Sequence, residues 1–136
     1  MDTVNNDVIN FIQTIGCGDF GTTLFFGRVP SSNKIGTEAW LLTNTSVSNT
    51  KHNPTGEDTL VYTYEISYRN MNVKDVDAEI FRITKELTTS HCISLAHFKT
   101  VNIEFNAVSP MQIDTEGRMY ASVSFRVTVY DVSNAS

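Results

Sequence analysis

The sequence predicts an α+β fold in which a mostly antiparallel sheet of about five strands carries two helices packed on one face. Two segments repeat apolar residues at the period of an amphipathic helix, and the other apolar segments alternate at the period of a strand. The chain has 136 residues, of which 40% are hydrophobic, and this suits one domain with one core. We therefore expect residues 1–136 to form a single domain without internal repeats.

The first helix is predicted at the N-terminus. Its apolar stripe, with members three or four residues apart, consists of Val4, Val8, Phe11, Ile12 and Ile15. Asp2 or Thr3 can accept hydrogen bonds from free N–H groups of the first turn, and Gly16 suits the left-handed position after the last turn. Because so short a helix is not stable alone, we expect it to dock on the sheet.

The second helix is predicted over residues 74–89. Its apolar stripe consists of Val76, Ile80, Ile83 and Leu87. Asp75 and Asp77 lie in the first turns, where the helix dipole favours anions, and Lys85 lies nearer the other end. Both helices are expected to cover the same face of the sheet.

Five segments are predicted as strands, namely residues 22–28, 38–45, 59–70, 98–107 and 118–131. In the clearest one, the side chains assigned to the core are Leu60, Tyr62, Tyr64, Ile66 and Tyr68. In the last one, they are Met119, Ala121, Val123, Phe125, Val127 and Val129. In residues 98–107, one face is predicted to hold Lys99, Val101, Ile103, Phe105 and Ala107.

The connections between these strands carry residues that favour turns. Residues 46–58 are predicted to form a long flexible loop, because Val47 is their one side chain suited to burial. Residues 114–117 predict a type I turn with Gly117 in the left-handed conformation. Pro110 is expected between the last two strands, where its missing N–H costs no ladder hydrogen bond.

The titratable residues suggest neither a catalytic centre nor a cofactor. His91, Cys92 and His97 lie close together in sequence but match no common zinc spacing, and no nucleophile-elbow, phosphate-loop or metalloprotease motif occurs. Asp114 and Glu116 belong to the predicted turn, and turn chemistry accounts for them better than a catalytic pair of carboxylates does. We therefore expect a protein that is not an enzyme and that holds no metal and no cofactor.

Composition excludes further classes and points to a subunit of an assembly. The net charge is −5, only 18% of residues are charged, and Ser, Thr and Asn together number 41. A free monomer usually keeps a more charged surface than this. The sequence has no apolar segment long enough to span a membrane, no basic run for binding DNA, and no basic segment typical of a secretory signal near its start.

The two cysteines, Cys17 and Cys92, carry little information. They are far apart in the sequence and belong to no spacing motif. Reduced thiols are expected of a protein made inside a cell, and a single disulfide between the two stays open.

Candidate interface residues follow from the strand pattern. Arg69, Tyr120, Arg126 and Tyr130 are predicted on strand faces that point away from the core. Tyrosine and arginine are enriched at protein interfaces, so these side chains are candidates for subunit or partner contacts. Trp40, in the predicted strand 38–45, is expected to be an interface anchor.

The element order and the C-terminal sequence together resemble a known family. A long strand at residues 60–69 precedes the helix at 76–83, and Ser109-Pro110-Met-Gln-Ile-Asp-Thr-Glu-Gly117-Arg118 leads into the last strand. This arrangement resembles the tail terminator (minor capsid) proteins of long-tailed bacteriophages. The similarity covers the element order of nearly the whole chain, and the C-terminal third carries it at the level of residues.

The resemblance implies a homo-hexameric ring that caps the tail tube, stops tube polymerisation and offers a docking surface for the head. Its partners would be the tail tube protein and a head–tail connector or stopper protein, and DNA would pass through the ring without specific binding. The resemblance also implies that the loop at residues 46–58, with Lys51 and His52, reaches toward the ring centre or a neighbour. It places the protein in the virion, at the tail or neck, after synthesis in the host cytoplasm.

Two alternative functions are compatible with the sequence. One is a different neck component, such as a stopper, head-completion or adaptor protein. The other is a small ligand-binding module or enzyme, which would be a discrete monomer or dimer with a closed pocket.

Overall fold

A computed structural model describes residues 3–29, 38–50, 59–89, 92–93 and 101–130. The elements are α1 (Thr3–Thr14), β1 (Leu24–Phe26), β2 (Ala39–Thr50), β3 (Thr59–Asn70), α2 (Val73–Thr89), β4 (Cys92–Ile93), β5 (Val101–Ile113) and β6 (Met119–Tyr130). The strands form one sheet in the order β1-β2-β3-β6-β5-β4, in which the pairing of β1 with β2 is parallel and the other pairings are antiparallel. The predicted α+β fold is confirmed, and β4 adds a very short strand to those expected.

Both helices pack on one face of the sheet and share a single core with it. The stripe predicted for α2 is buried in full, and so are Val4, Val8 and Ile12 of α1. The predicted inward residues of the central strands β3 and β6 are buried or half-buried. The two periodicities in the sequence therefore identified the core-facing side of both helices and of both central strands.

A small polar contact positions α1 over β2 and β3. The Asn5 Oδ1 atom accepts a hydrogen bond from the Tyr64 hydroxyl at 2.5 Å and another from Asn44 Nδ2 at 3.2 Å. Tyr64 is fully buried, so its hydroxyl needs a partner inside the protein. The helix is therefore held by directional bonds as well as by its apolar stripe.

The end of α1 is closed by a Schellman motif. Gly16 has a φ of +89°, its N–H donates to the Gln13 carbonyl at 3.0 Å, and the Cys17 N–H donates to the Ile12 carbonyl at 3.1 Å. Gly16 thus has the role expected from the sequence. Cys17 is a buried free thiol, and burial raises its pKa to about 12.

Arg82 of α2 connects the two helices. Its guanidinium donates to the Ile15 carbonyl at 2.6 Å and to the Gly16 carbonyl at 2.8 Å, and it also pairs with Glu79 at 2.8 Å. The last carbonyls of a helix lack partners within that helix and carry the negative end of its dipole. The Arg82 side chain therefore satisfies the end of α1 and fixes α2 beside it.

The loop prediction is wrong for residues 46–50, which continue β2. A β-bulge between Asn44 and Ser46 shifts the register, after which pairing with β3 resumes and ends at Thr50 opposite Thr59. The long partner strand outweighs the turn propensity of these Ser, Asn and Thr residues, because strand formation depends strongly on context. The rest of the predicted loop, residues 51–58, lies outside the described residues.

Two predictions about β5 are also wrong. Pro110 lies within the strand instead of between strands, at a register shift between Ser109 and Gln112, and β5 continues to Ile113. A proline is tolerated there because a residue at a bulge is left out of the ladder and needs no N–H donor. A second shift between Phe105 and Ala107 moves Ala107 to the face opposite Phe105, so the two do not share a face as expected.

The predicted turn between β5 and β6 is confirmed. The Gly117 N–H donates to the Asp114 carbonyl at 3.2 Å, and Gly117 has a φ of +81°. The Asp114 carboxylate accepts the N–H groups of Glu116 and Arg118, each at 2.9 Å, and the Arg118 Nε at 2.8 Å. Burial acts to raise the pKa of Asp114, but these donors outweigh it and hold the pKa below 3.8.

We expect Asp114→Ala to lower the free energy of unfolding at pH 7 by about 1–2 kcal/mol, because the turn loses a charged acceptor. The folded-state pKa of Asp114 is depressed, so its contribution is present above the unfolded-state pKa and is lost as pH falls through the folded-state pKa. The difference from wild type should therefore shrink below pH 3.8 in urea titrations at several pH values. Thr115→Ala, in the same turn, is the control, and a difference independent of pH would contradict this account.

We expect Val123→Asp to prevent folding. Val123 is fully buried on β6, and a carboxylate there would be a buried charge without a partner, at a cost of about 3–5 kcal/mol. Circular dichroism and urea titration measure the loss. Thr128→Asp on the opposite face of the same strand is the control, and a cooperative unfolding transition of Val123→Asp in the wild-type range would refute the face assignment.

Candidate subunit and partner interface

Within the described residues, the sheet has one face that neither helix covers, which we call the open face. The side chains of Arg69, Tyr120 and Arg126 lie on it, as predicted from strand alternation. Arg69 on β3 is paired directly with Tyr120 on β6, and Thr63 on β3 is paired directly with Arg126 on β6. Three of the predicted interface residues therefore share one surface.

Hydrogen bonds orient two of these side chains. The Tyr120 hydroxyl donates to Gln112 Oε1 at 2.6 Å, and Arg126 Nη2 lies 3.4 Å from Glu104 Oε1. The second contact is long and solvent-exposed, so it contributes little to stability. The Nε atom of Arg126 is buried and has no hydrogen-bond partner among the described residues.

Arg69 lies at the end of the sheet near the Asp114 turn. Burial, and next the positive charge of Arg118, lower the pKa of Arg69 below its usual value, and the carboxylates of Asp114 and Glu116 partly offset this. Arginine stays protonated in proteins in spite of such shifts. Arg69 is therefore a charged, half-buried donor suited to recognising a carboxylate or carbonyl.

The remainder of the open face is mostly neutral and polar. Across β2, β3, β5 and β6, its other hydroxyl and amide side chains include Thr43, Ser46, Thr63, Ser67, Asn102, Ser109, Ser124 and Thr128. Its carboxylates Glu65 and Glu104 balance Arg69 and Arg126. Such a surface can make many hydrogen bonds and carries little net charge.

At each lateral edge of the sheet, a long strand is only partly paired with the short strand outside it. Within the described residues, β1 pairs with β2 only at residues 40–42, and β4 pairs with β5 only at residues 101–102. The outer sides of residues 43–50 of β2 and 103–113 of β5 have no strand beside them in the part of the chain that the structure describes. We call these stretches the β2 edge and the β5 edge.

The backbone of the β2 edge presents hydrogen-bonding groups outward at known positions. The Trp40 N–H and the Leu42 carbonyl bond to residues of the β1 region, so both point away from β3. The backbone of Val47 is oriented like that of Leu42. Their β3 partners, Tyr62 and Ile66, are four residues apart, and the direction of the N–H and carbonyl groups repeats every two residues along a strand. Val47 therefore has its N–H and carbonyl directed away from the sheet.

A polar cleft of about 410 Å³ lies where α1 ends and α2 begins. Its lining consists of Gly16, Gly18, Glu38, Trp40, Tyr68, Asn70, Asp75, Ala78 and Glu79. Burial raises the pKa of Tyr68, whose hydroxyl accepts a bond from Asn70 Nδ2 at 2.9 Å. The cleft lining has no histidine or cysteine, and the described residues hold no group of three metal-ligating side chains.

Comparison with known families decides the identity. Residues 11–131 match the family model described as bacteriophage tail terminator protein. The chain belongs to the bacteriophage tail terminator family. A search of curated proteins gave no match.

Family membership indicates the general role and location of this tail terminator. It indicates a structural protein of the virion that contacts other proteins of the phage tail or head, and it suggests that the protein is not an enzyme. Among the helices in the described ranges, none combines the length and apolar character needed to cross a bilayer.

The expectation that Trp40 is an interface anchor on this tail terminator is wrong. Trp40 is only 1% exposed, and its ring centroid lies 4.4 Å from that of Tyr68. Trp40 is buried because its position in β2 directs its side chain to the helix side of the sheet, as for its partner Tyr68. Lys51, His52 and the side chain of Tyr130 lie outside the described residues, so their interface roles stay predictions.

Proposed function

We propose that this tail terminator forms a closed ring of six copies that caps the last ring of the tail tube, stops tube polymerisation and offers the docking surface for the head. Family membership supports the terminator role. The observation that carries the ring is the pair of half-covered edges on opposite sides of one sheet.

The two edges favour head-to-tail contacts. They belong to different strands, so a contact between the β5 edge of one copy and the β2 edge of the next joins unlike surfaces and is repeated around a ring. Successive pairings from β2 through β3 and β6 to β5 are antiparallel, so β2 and β5 run in opposite directions. A neighbouring β2 would therefore continue the antiparallel pattern of the sheet.

Irregularities in both edges favour a specific closed contact over open-ended pairing. The β2 edge has a bulge after Asn44, and the β5 edge has register shifts after Phe105 and Ser109 as well as Pro110. Bulges and proline are common means of preventing edge strands from pairing with arbitrary partners. An edge of this kind can pair with a strand whose irregularities match its own, but it does not favour the unlimited addition of further strands.

We infer that the open face contacts the tail tube or the head connector. Arg69, Tyr120 and Arg126 project from it, and the buried Arg126 Nε offers a donor that no described group of the subunit uses. Tyrosine and arginine supply much of the binding energy at protein interfaces. Lys51, His52 and Tyr130 are proposed contributors to the same contacts.

The charge balance suits a ring through which DNA passes without binding. The net charge is −5 and the open face balances its carboxylates with arginines. Affinity for DNA depends on clustered positive charge that neutralises phosphates, and these features provide none. We therefore propose that the central opening conducts DNA without retaining it.

The proposal is tested with purified wild-type protein and the tube protein of the same phage. Mass photometry of the terminator, alone and on preformed tubes, should detect six copies, and electron microscopy should show capped tubes that no longer lengthen when tube protein is added. Tubes that keep growing in the presence of the terminator would contradict the proposal. Binding to the head connector alone, without an effect on tubes, would indicate a different neck component.

The role of the β2 edge is tested by Val47→Pro. The substitution removes an outward N–H without removing a hydrogen bond to β3, so the fold should be kept and ring formation should weaken about tenfold or more. Val47→Thr keeps the N–H and the branched shape, and should assemble like wild type. Equal assembly of both variants, with unchanged circular dichroism, would exclude edge pairing through Val47.

A further inference from the structure

Four large apolar side chains are exposed along one margin of the helix side of the sheet. Phe81 is 73% exposed, Ile113 68%, Val108 47% and Val73 42%. We call these four residues the apolar strip. A phenylalanine so exposed in the middle of a helix contributes little to the core, so the strip is a surface feature that needs a separate explanation.

The position of Phe81 follows from the contacts of α2. The helix packs on β3, β6 and β5, and Arg82 reaches to the end of α1 on one flank. Relative to the buried stripe of Val76 and Ile80, Val73 and Phe81 lie on the other flank, which faces β5. They are eight residues apart and therefore separated by about 12 Å along the helix axis.

The strand part of the strip lies beside that flank, toward the β5 edge. Val108 is paired with Val123 and Ile113 with Met119, so both point to the helix side of the sheet. Their exposure means that α2 does not extend over this half of β5. The strip therefore joins the free flank of α2 to the β5 edge.

The opposite edge carries a matching exposed side chain. Val47 of the β2 edge is 53% exposed and points to the same side of the sheet as its partner Tyr62, which is the helix side. Asn44, also on β2, bonds to Asn5 and thereby holds α1 above this edge. Both edges thus expose apolar surface on one side of the sheet.

We propose that the apolar strip is the docking surface for a second copy of this chain, which covers it with the Val47 region of β2 and with α1. The inference rests on the proposed ring and names the surface that completes it. If the next copy places β2 beside β5, Val47 and the strip come to the same side of a continuous sheet. The neighbour's α1 then extends the helix layer next to Phe81.

Charge and composition favour this occupant. None of the four residues is charged, and the polar face of α1 is neutral, with Asn6, Asn10 and Thr14 exposed. The charged residues Lys74, Asp77 and Lys85, which are exposed on the same flank of α2 as Phe81, would therefore meet a neutral helix and no like charges. The strip also follows the β5 edge along the side of the sheet, where the next subunit of a ring lies.

The docking surface is tested with Phe81→Ser. Because Phe81 is largely exposed, the variant should keep the wild-type circular dichroism and unfolding transition. Loss of one buried aromatic contact per interface should raise the concentration for half-maximal ring formation about tenfold or more. Phe81→Leu should largely restore assembly, and Lys85→Ser, one turn further along α2, should leave it unchanged.

The occupant is identified by placing a photoreactive phenylalanine analogue at position 81 and irradiating rings bound to tail tubes. An adduct between two copies, mapped by mass spectrometry to residues 3–14 or 43–50, is the expected result. An adduct with the tube protein, or normal rings from Phe81→Ser, would overturn the strip proposal while leaving tube capping intact. Wild-type protein that neither forms rings nor caps tubes would instead reject the proposed function.

Discussion

The structure depends on one constraint, which is that two helices must cover a sheet wider than themselves. The helices have 12 and 17 residues, whereas four of the six strands in the described part of the chain have 12 or 13. The side chains at the centre of β3 and β6 are fully buried, but helix-side residues near both margins, such as Val47 and Ile113, are exposed. Because the covering layer ends before the sheet does, the margins keep uncovered apolar surface.

The limited helix layer is held in place by a few directional contacts. Asn5 links α1 to β2 and β3, and Arg82 links α2 to the last carbonyls of α1. The left-handed Gly16 makes those carbonyls accessible, and a side chain there would approach the Arg82 guanidinium to 3.0 Å. The position of the helices, and with it the choice of which margin stays uncovered, therefore depends on polar groups as much as on apolar packing.

The sequence predicted features that arise from local periodicity and missed those set by neighbouring strands. The stripe of α2 and the inward residues of β6 were identified because burial follows the 3.6-residue and two-residue periods. The extension of β2 to Thr50 and the inclusion of Pro110 in β5 depend on bulges and on the partner strand, which have no clear local signal. Trp40 was misassigned because residue type suggested an interface, whereas strand phase decides its burial. The exposure of Phe81 also could not be predicted from local periodicity, because it depends on how far the sheet extends beside α2.

The neutral open face has a consequence for the conditions under which its contacts persist. Hydroxyl and amide groups outnumber charged groups there, and the charges that occur are balanced in sign. Dissolved salt screens interactions between exposed charges but has little effect on hydrogen bonds between neutral groups. Any contact made through the neutral groups of this face should therefore tolerate large changes in ionic strength, whereas a contact that depends on Arg69 or Arg126 should weaken as the salt concentration rises.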